Sequence, residues 1–204
     1  MPRTVDRDKK KDMILQAAMK LFAKKGIAAT KMEDVAVAAK IAKGTIYEYF
    51  KSREELLDLA FNYLLVLVNR LVRQRMAEAS TPEEKIKAGF LAYLDTAALG
   101  IGDYLEILPD LWSYGVRAKD VEKEITFDLS WIYHQFREQF SEAIKRGITE
   151  GRFREMDADA AASLVVAAAD GLYLQWMADR NRFELKKWAE NFIEIFISGI
   201  IKAR

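Results

Sequence analysis

Seven residues between Lys43 and Arg53 carry the most concentrated chemistry in the chain: Lys43, Gly44, Thr45, Tyr47, Tyr49, Lys51 and Arg53. Cations, phenols and a hydroxyl can all donate hydrogen bonds to phosphate oxygens. A threonine can also meet a base edge or a thymine methyl. The glycine lets the backbone come close to a bulky partner. This is chemistry for holding a polyanion, not for breaking bonds. From these residues alone a second reading stays open, in which the tyrosines simply pack a small helical subdomain.

Catalysis and metal binding have little to work with. The chain of 204 residues has no Cys and a single His, His134. Disulfides, thiolate nucleophiles, Cys-ligated zinc and His clusters are therefore excluded. No paired carboxylates, nucleophile–base pair or phosphate loop stands out, so no enzyme, metal or cofactor is expected. The net charge of +1 hides an asymmetry. Residues 1–53 hold 13 Lys/Arg against 6 Asp/Glu, a net of +7, and the remainder holds 19 against 25, a net of −6. A basic head on an acidic body suits a polyanion-binding segment joined to something else. The N-terminus, MPRTVDRDKKKD, lacks the apolar stretch of a secretory signal. The apolar spans of the C-terminal half carry internal charge, so no membrane helix and a cytoplasmic location are expected.

The elements that must position the seven residues are helical. Three Pro and ten Gly disfavour a turn-rich β fold. Met13, Ile14, Ala17, Ala18, Leu21 and Phe22 recur at helical spacing, predicting a helix over residues 7–25 with Gly26 as its C-cap. Thr30 and Glu33 have the spacing of a capping box. A short helix follows, turning Val35, Ala36 and Ala39 inward. The pattern breaks near Lys40–Lys43 and resumes at Ile46 and Phe50, giving the dimensions of a helix-turn-helix. On a helical wheel Ile46 and Phe50 face inward, Tyr47 and Tyr49 flank them, and Gly44, Thr45 and Glu48 point outward. Ser52 and Glu55 repeat the capping-box spacing and open a long helix to about residue 79.

The run T30-x4-V35-A36-x-A38-A39-x-I41-x-K43-G44-T45-I46-Y47-E48-Y49-F50-K51-S52-R53-E54-E55-L56 resembles the signature of TetR-family transcriptional regulators. The segment from Gly147 to Phe153, with Asp157 and the Asp170-Gly171-Leu172 step, is similar to a pattern in the effector domain of many members. The resemblance implies an all-α homodimeric repressor. A helix-turn-helix domain over residues 1–52 would bind a palindromic double-stranded DNA operator. A body over residues 53–204 would bind a small hydrophobic or aromatic effector and dimerise. Carried over by position, Lys43 and Thr45 would read bases, and Tyr47, Tyr49 and Arg53 would hold phosphate. Thr30, Gly44 and Lys51 complete the implied DNA-binding set. The chain departs from the family in two places. Lys40 stands in the turn where Gly is usual, and Ala42 stands where Ser or Thr often caps the third helix. A left-handed Lys40 would cost ~1–2 kcal/mol, and a missing cap ~1 kcal/mol.

In the body, further helices are expected over 83–99, 103–116 with Pro109 breaking it, 120–147 ended by Gly147 and Gly151, 157–179 and 184–202. Candidate effector contacts are Tyr93, Asp95, Trp112, Phe127, Trp131, His134 and Tyr173; ordinary core packing is the alternative for each. Asp170 interrupts an apolar run. It could meet a cationic, aromatic effector, or pair across a subunit interface. Leu164, Ala168, Leu172, Phe192, Phe196 and Ile200 exceed the apolar needs of one subunit and are the expected dimer face. A helical carrier or sink for small molecules, with an inactive head, is the competing function.

Overall fold

The computed structural model describes residues 2–95, 104–118 and 128–202. Among these residues it contains nine α-helices and no strand. They are α1 (Pro2–Lys25), α2 (Met32–Ala38), α3 (Lys43–Tyr49), α4 (Arg53–Glu78), α5 (Pro82–Leu94), α6 (Leu108–Ala118), α7 (Leu129–Thr149), α8 (Ala158–Ala178) and α9 (Leu185–Ile200). A 3-10 turn, Tyr104–Ile107, precedes α6. The all-α expectation holds. The chain forms two compact units, Met1–Leu67 with Thr96–Leu129 and Val68–Asp95 with Ser130–Arg204. The head read over residues 1–52 lies inside the first unit.

The head is built around Ile14, Ala18, Met19 and Phe22 from α1, Val35 and Ala36 from α2, and Ile46 and Phe50 at α3, all buried. Fully burying a side chain of this size stabilises by ~1.5–3 kcal/mol, so this inward face fixes the orientation of α3. Gly26 ends α1 with φ +81°, a left-handed residue as its position requires. Lys40 adopts φ 56°, the single positive value outside glycine among the described residues. The α2–α3 turn therefore has the backbone that glycine would favour, carried by a lysine.

Two local expectations are corrected. The first capping box is displaced by one residue. Lys31 is the N-cap of α2, and its N–H donates to the Asp34 carboxylate at 2.9 Å. The Thr30 hydroxyl instead donates to the Gly26 carbonyl at 2.8 Å. Pro109 does not kink a helix. It occupies the first turn of α6, where its missing N–H has no intrahelical partner to lose.

In the second unit, α5 starts at a capping box of Thr81 and Glu84 with Pro82 in its first turn. Helix α7 runs past Gly147 to Thr149, so Gly147 does not punctuate it. A Cβ there would overlap the Phe153 ring, so this glycine makes room for it. Gly151, at φ +70°, makes the turn. Helix α8 is long and apolar enough to cross a membrane by length and composition. Its Ala162, Val165, Ala169 and Tyr173 are nevertheless buried in the protein.

Candidate nucleic-acid interface and ligand site

Helix α3 is short, and its N-terminus has no side-chain cap because Ala42 is the N-cap residue. Its inner face is anchored by Ile46 and Phe50, both fully buried. Its outer face is open. Lys43, Gly44, Tyr47 and Glu48 are exposed and Thr45 and Tyr49 half-buried. Among the described residues, the Thr45 hydroxyl and the Tyr47 phenol make no hydrogen bond within the chain. A Cβ built on Gly44 would meet nothing within 4 Å. The fold itself therefore does not require glycine there, although glycine in a helix costs ~1 kcal/mol relative to alanine.

The expected DNA contacts separate into two groups. Lys43, Gly44, Thr45, Tyr47, Tyr49 and Lys51 lie on or beside the open face. The Lys43 ammonium pairs with the Glu33 carboxylate at 2.6 Å, which raises the lysine pKa and lowers that of the glutamate. Both partners are exposed, so phosphate can compete for the lysine. The Tyr49 ring carries the Arg7 guanidinium 5.8 Å from its centroid. Lys51 keeps an exposed side chain while its N–H donates to Glu55 at 2.6 Å.

Thr30 and Arg53 are placed differently. Thr30 is 2% exposed and its hydroxyl is already engaged. The Arg53 guanidinium donates to the carbonyls of Thr30 at 3.2 Å and Ile27 at 2.6 Å. It clamps the α1–α2 connection to the start of α4 through Nε and Nη2 while remaining half-exposed. The sequence signals both as part of the motif, but one internal bond joins them.

The expected effector residues are distributed over both units. Phe127 lies outside the described residues. Trp112 is half-buried on α6 in the first unit. The others belong to the second unit, where Asp95 is exposed at the end of α5, Trp131 is 54% exposed and His134 is exposed. Trp131 and His134, three apart, share the outer face of α7, whereas Ile132 and Phe136 are buried. Tyr173 is buried, its ring 5.9 Å from that of Trp176.

The grouping that does form centres on Asp170. Tyr93 donates to its Oδ1 at 2.9 Å and Tyr133 to its Oδ2 at 2.7 Å. Tyr93 also packs edge-on against Phe136 at 4.8 Å. Burial pushes the Asp170 carboxyl above the usual carboxylate range, and the two phenol donors only partly oppose this. Tyr133, one residue from the expected effector contact His134, is the α7 side chain that bonds to Asp170.

Of the expected dimer residues, Leu164 is 65% exposed, while Ala168, Leu172, Phe192 and Phe196 are half-buried. Ile200 is buried within the subunit at 5% exposure, so it is not available to a partner. Leu174, Trp188 and Ile195 are exposed on the same two helices.

Residues 14–60 match the family model of bacterial regulatory proteins, tetR family, and residues 82–201 match the C-terminal model of BetI-type transcriptional repressors. The chain is 30% identical over 150 residues to the HTH-type transcriptional regulator YfiR of Bacillus subtilis, covering 72% of this chain and 70% of that protein. It superposes on a transcriptional regulator from Saccharomonospora viridis in complex with choline at a TM-score of 0.81 and 20% identity, covering 96% of this chain and 100% of that one. It superposes on the regulator FadR from Bacillus subtilis in complex with stearoyl-CoA at 0.72 and 22% identity, covering 92% and 98%.

Proposed function

Because the chain belongs to the TetR family of bacterial transcriptional regulators, we propose that it is a cytoplasmic repressor that binds a palindromic operator as a homodimer and is released by a small-molecule effector. The observation that carries the reading is the outer face of α3. It combines an unpacked Gly44 with a threonine hydroxyl and a phenol that the fold leaves unused. A carrier with an inactive head has no use for a destabilising glycine on an open helix face.

The roles follow from placement. Thr45 and Lys43 meet base edges, and Gly44 admits the close approach that this needs. Tyr47, Tyr49 and Lys51 hold phosphates. Arg53 acts through structure, by fixing α4 against the turn that precedes α2. The dimer face is the outer side of α8 and α9. Leu164, Leu174, Trp188 and Ile195 are exposed there, and a Cβ on Gly171 or Gly199 would meet nothing in the subunit. Small residues of this kind let a second backbone come close. Twofold symmetry then sets two α3 helices about one DNA turn apart, ~34–36 Å.

Effector coupling is routed through α4, which starts at Arg53 beside the head and runs unbroken to Glu78. An effector shifts DNA affinity only by the difference in its own affinity for the two arrangements. The test is fluorescence anisotropy on DNA upstream of the protein's own gene. Binding should be salt-sensitive, and Tyr47→Phe should weaken it on different sequences alike. Salt-insensitive or absent binding would favour the carrier instead.

A further inference from the structure

The start of α1 extends beyond the core of the head. From residue 6 onwards its first buried side chain is Ile14, and those before it are half-buried or exposed. The inward stripe of α1 runs through Phe22, Ala18 and Ile14. Continued at helical spacing towards the N-terminus, it reaches Lys11 and then Arg7. Two cations thus take over where the apolar stripe ends, and both lie against the end of α3. The Lys11 ammonium is 5.9 Å from the Phe50 ring centroid, and the Arg7 guanidinium is 5.8 Å from that of Tyr49. Nη2 of Arg7 also donates to the Glu48 carbonyl at 3.4 Å.

Arg7 is held but not used up. Arg53 gives its guanidinium to carbonyls at 3.2 and 2.6 Å, whereas Arg7 makes one long bond and stays exposed. Most of its N–H donors remain available. Among the described residues Arg7, Lys11 and Lys51 form no ion pair, so positive charge from residues 7, 11 and 51 borders the end of α3 without a protein anion to neutralise it. A guanidinium can rest on an aromatic face and still present its planar fork to a phosphate. The ring contact removes part of the rotational freedom that an exposed arginine would otherwise lose on binding. If Arg7 served only to cap α3, a neutral amide donor would do as well for the Glu48 carbonyl. We propose that Arg7 is an operator phosphate contact outside the helix-turn-helix, and that the Tyr49 ring is the positioning residue that holds it beside the open face of α3. The Tyr49 hydroxyl is not engaged by this contact. The inference rests on the reading of the chain as a DNA-binding regulator and adds a contact that the motif does not contain.

The test is fluorescence anisotropy of the intact protein across a salt series, on a duplex from upstream of its own gene and on a scrambled duplex of the same composition. Arg7→Gln keeps an amide donor for the Glu48 carbonyl and removes the charge. It should weaken binding to both duplexes by a similar factor, on the order of tenfold at low salt, and reduce the salt slope by about 1. Its urea midpoint should match that of the wild-type protein. Tyr49→Phe keeps the ring and Tyr49→Leu removes it. Arg7→Gln should therefore cost the same factor in the Phe background as in the wild-type protein, and only about threefold or less in the Leu background. An unchanged salt slope in Arg7→Gln overturns the proposal and leaves the arginine as a cap on α3. An equal cost in the Phe and Leu backgrounds overturns the part given to Tyr49. A loss confined to the native duplex would make Arg7 a reader of bases and overturns the phosphate assignment. Absent or salt-insensitive binding by the wild-type protein sinks the regulator reading and this inference together. Salt-sensitive wild-type binding with an unchanged slope in Arg7→Gln sinks this inference alone.

Discussion

The head and the α5–α7–α8 cluster each hold a charged side chain in partial burial, and they satisfy it in opposite ways. Arg53 gives its guanidinium to two backbone carbonyls, those of Thr30 and Ile27. These partners lie 23 and 26 residues away in the same small motif. Asp170 takes two side-chain phenols, from partners 77 and 37 residues away. Backbone carbonyls are fixed wherever the helices are fixed, so Arg53 serves as a rigid brace. Phenols are neutral and can rotate, so they orient the Asp170 carboxyl without setting an opposite charge beside it. The difference teaches where each region does its work. The head satisfies its cation internally and turns its uncommitted groups outward on α3. The body keeps its uncommitted charge inside.

The largest expected effect concerns Arg53. Arg53→Ala removes two charge-assisted bonds and takes the guanidinium donor from the Thr30 carbonyl, while the Ile27 carbonyl keeps the Thr30 N–H. It should lower unfolding stability by about 2–3 kcal/mol in urea titration. DNA affinity should fall with it. Lys51→Ala should instead weaken DNA binding, reduce the salt slope by about 1 and leave stability unchanged. If Arg53→Ala behaved like Lys51→Ala, the guanidinium would be a phosphate contact after all and the contrast would fail.

Gly44→Ala sharpens the same contrast within α3. A Cβ there meets nothing, so the variant should gain up to ~1 kcal/mol of stability from helix propensity. DNA affinity should drop on the order of tenfold, or ~1.4 kcal/mol, because the methyl stands in the approach path. A gain in stability with unchanged affinity would remove the functional reason for the glycine. Lys40→Gly isolates backbone strain from contact chemistry. Relieving the left-handed lysine should add about 1 kcal/mol to stability, read from the urea midpoint.

The smallest effect is the pH response of Asp170. Its folded pKa is raised, so the folded state binds the proton more tightly than the unfolded chain does. Its contribution to stability is therefore full below the ordinary carboxylate range and is lost as pH rises through the raised value. The stability of Asp170→Asn relative to the wild-type protein should rise over that window and then level off. A flat difference would mean that the carboxylate is not destabilised by burial.

Much of the head was legible because its signals are local. The left-handed turn at Lys40, the absent cap at Ala42 and the glycine stop at Gly26 all depend on a few neighbouring residues. The capping frame slipped because Thr30 and Lys31 both precede acidic residues at the right spacing, and hydrogen-bond geometry chose Asp34. That choice leaves Glu33 to hold Lys43. In the body the helical spans were legible, but the site was not. Trp131, Tyr133 and His134 are sequence neighbours, yet each step around α7 turns the side chain by about 100°. Only Tyr133 among them bonds to Asp170. The Tyr93–Asp170 bond joins two helices across 77 residues, a pairing that no local periodicity specifies.

The account stands most directly on whether the outer face of α3 reads sequence. Selection of binding sites from a random duplex pool, run in parallel on the wild-type protein and Thr45→Ala, measures this. The prediction is an enriched inverted repeat whose preference changes at one position in each half-site when the threonine is removed. No enrichment, or the same preference at every position in both proteins, would contradict it.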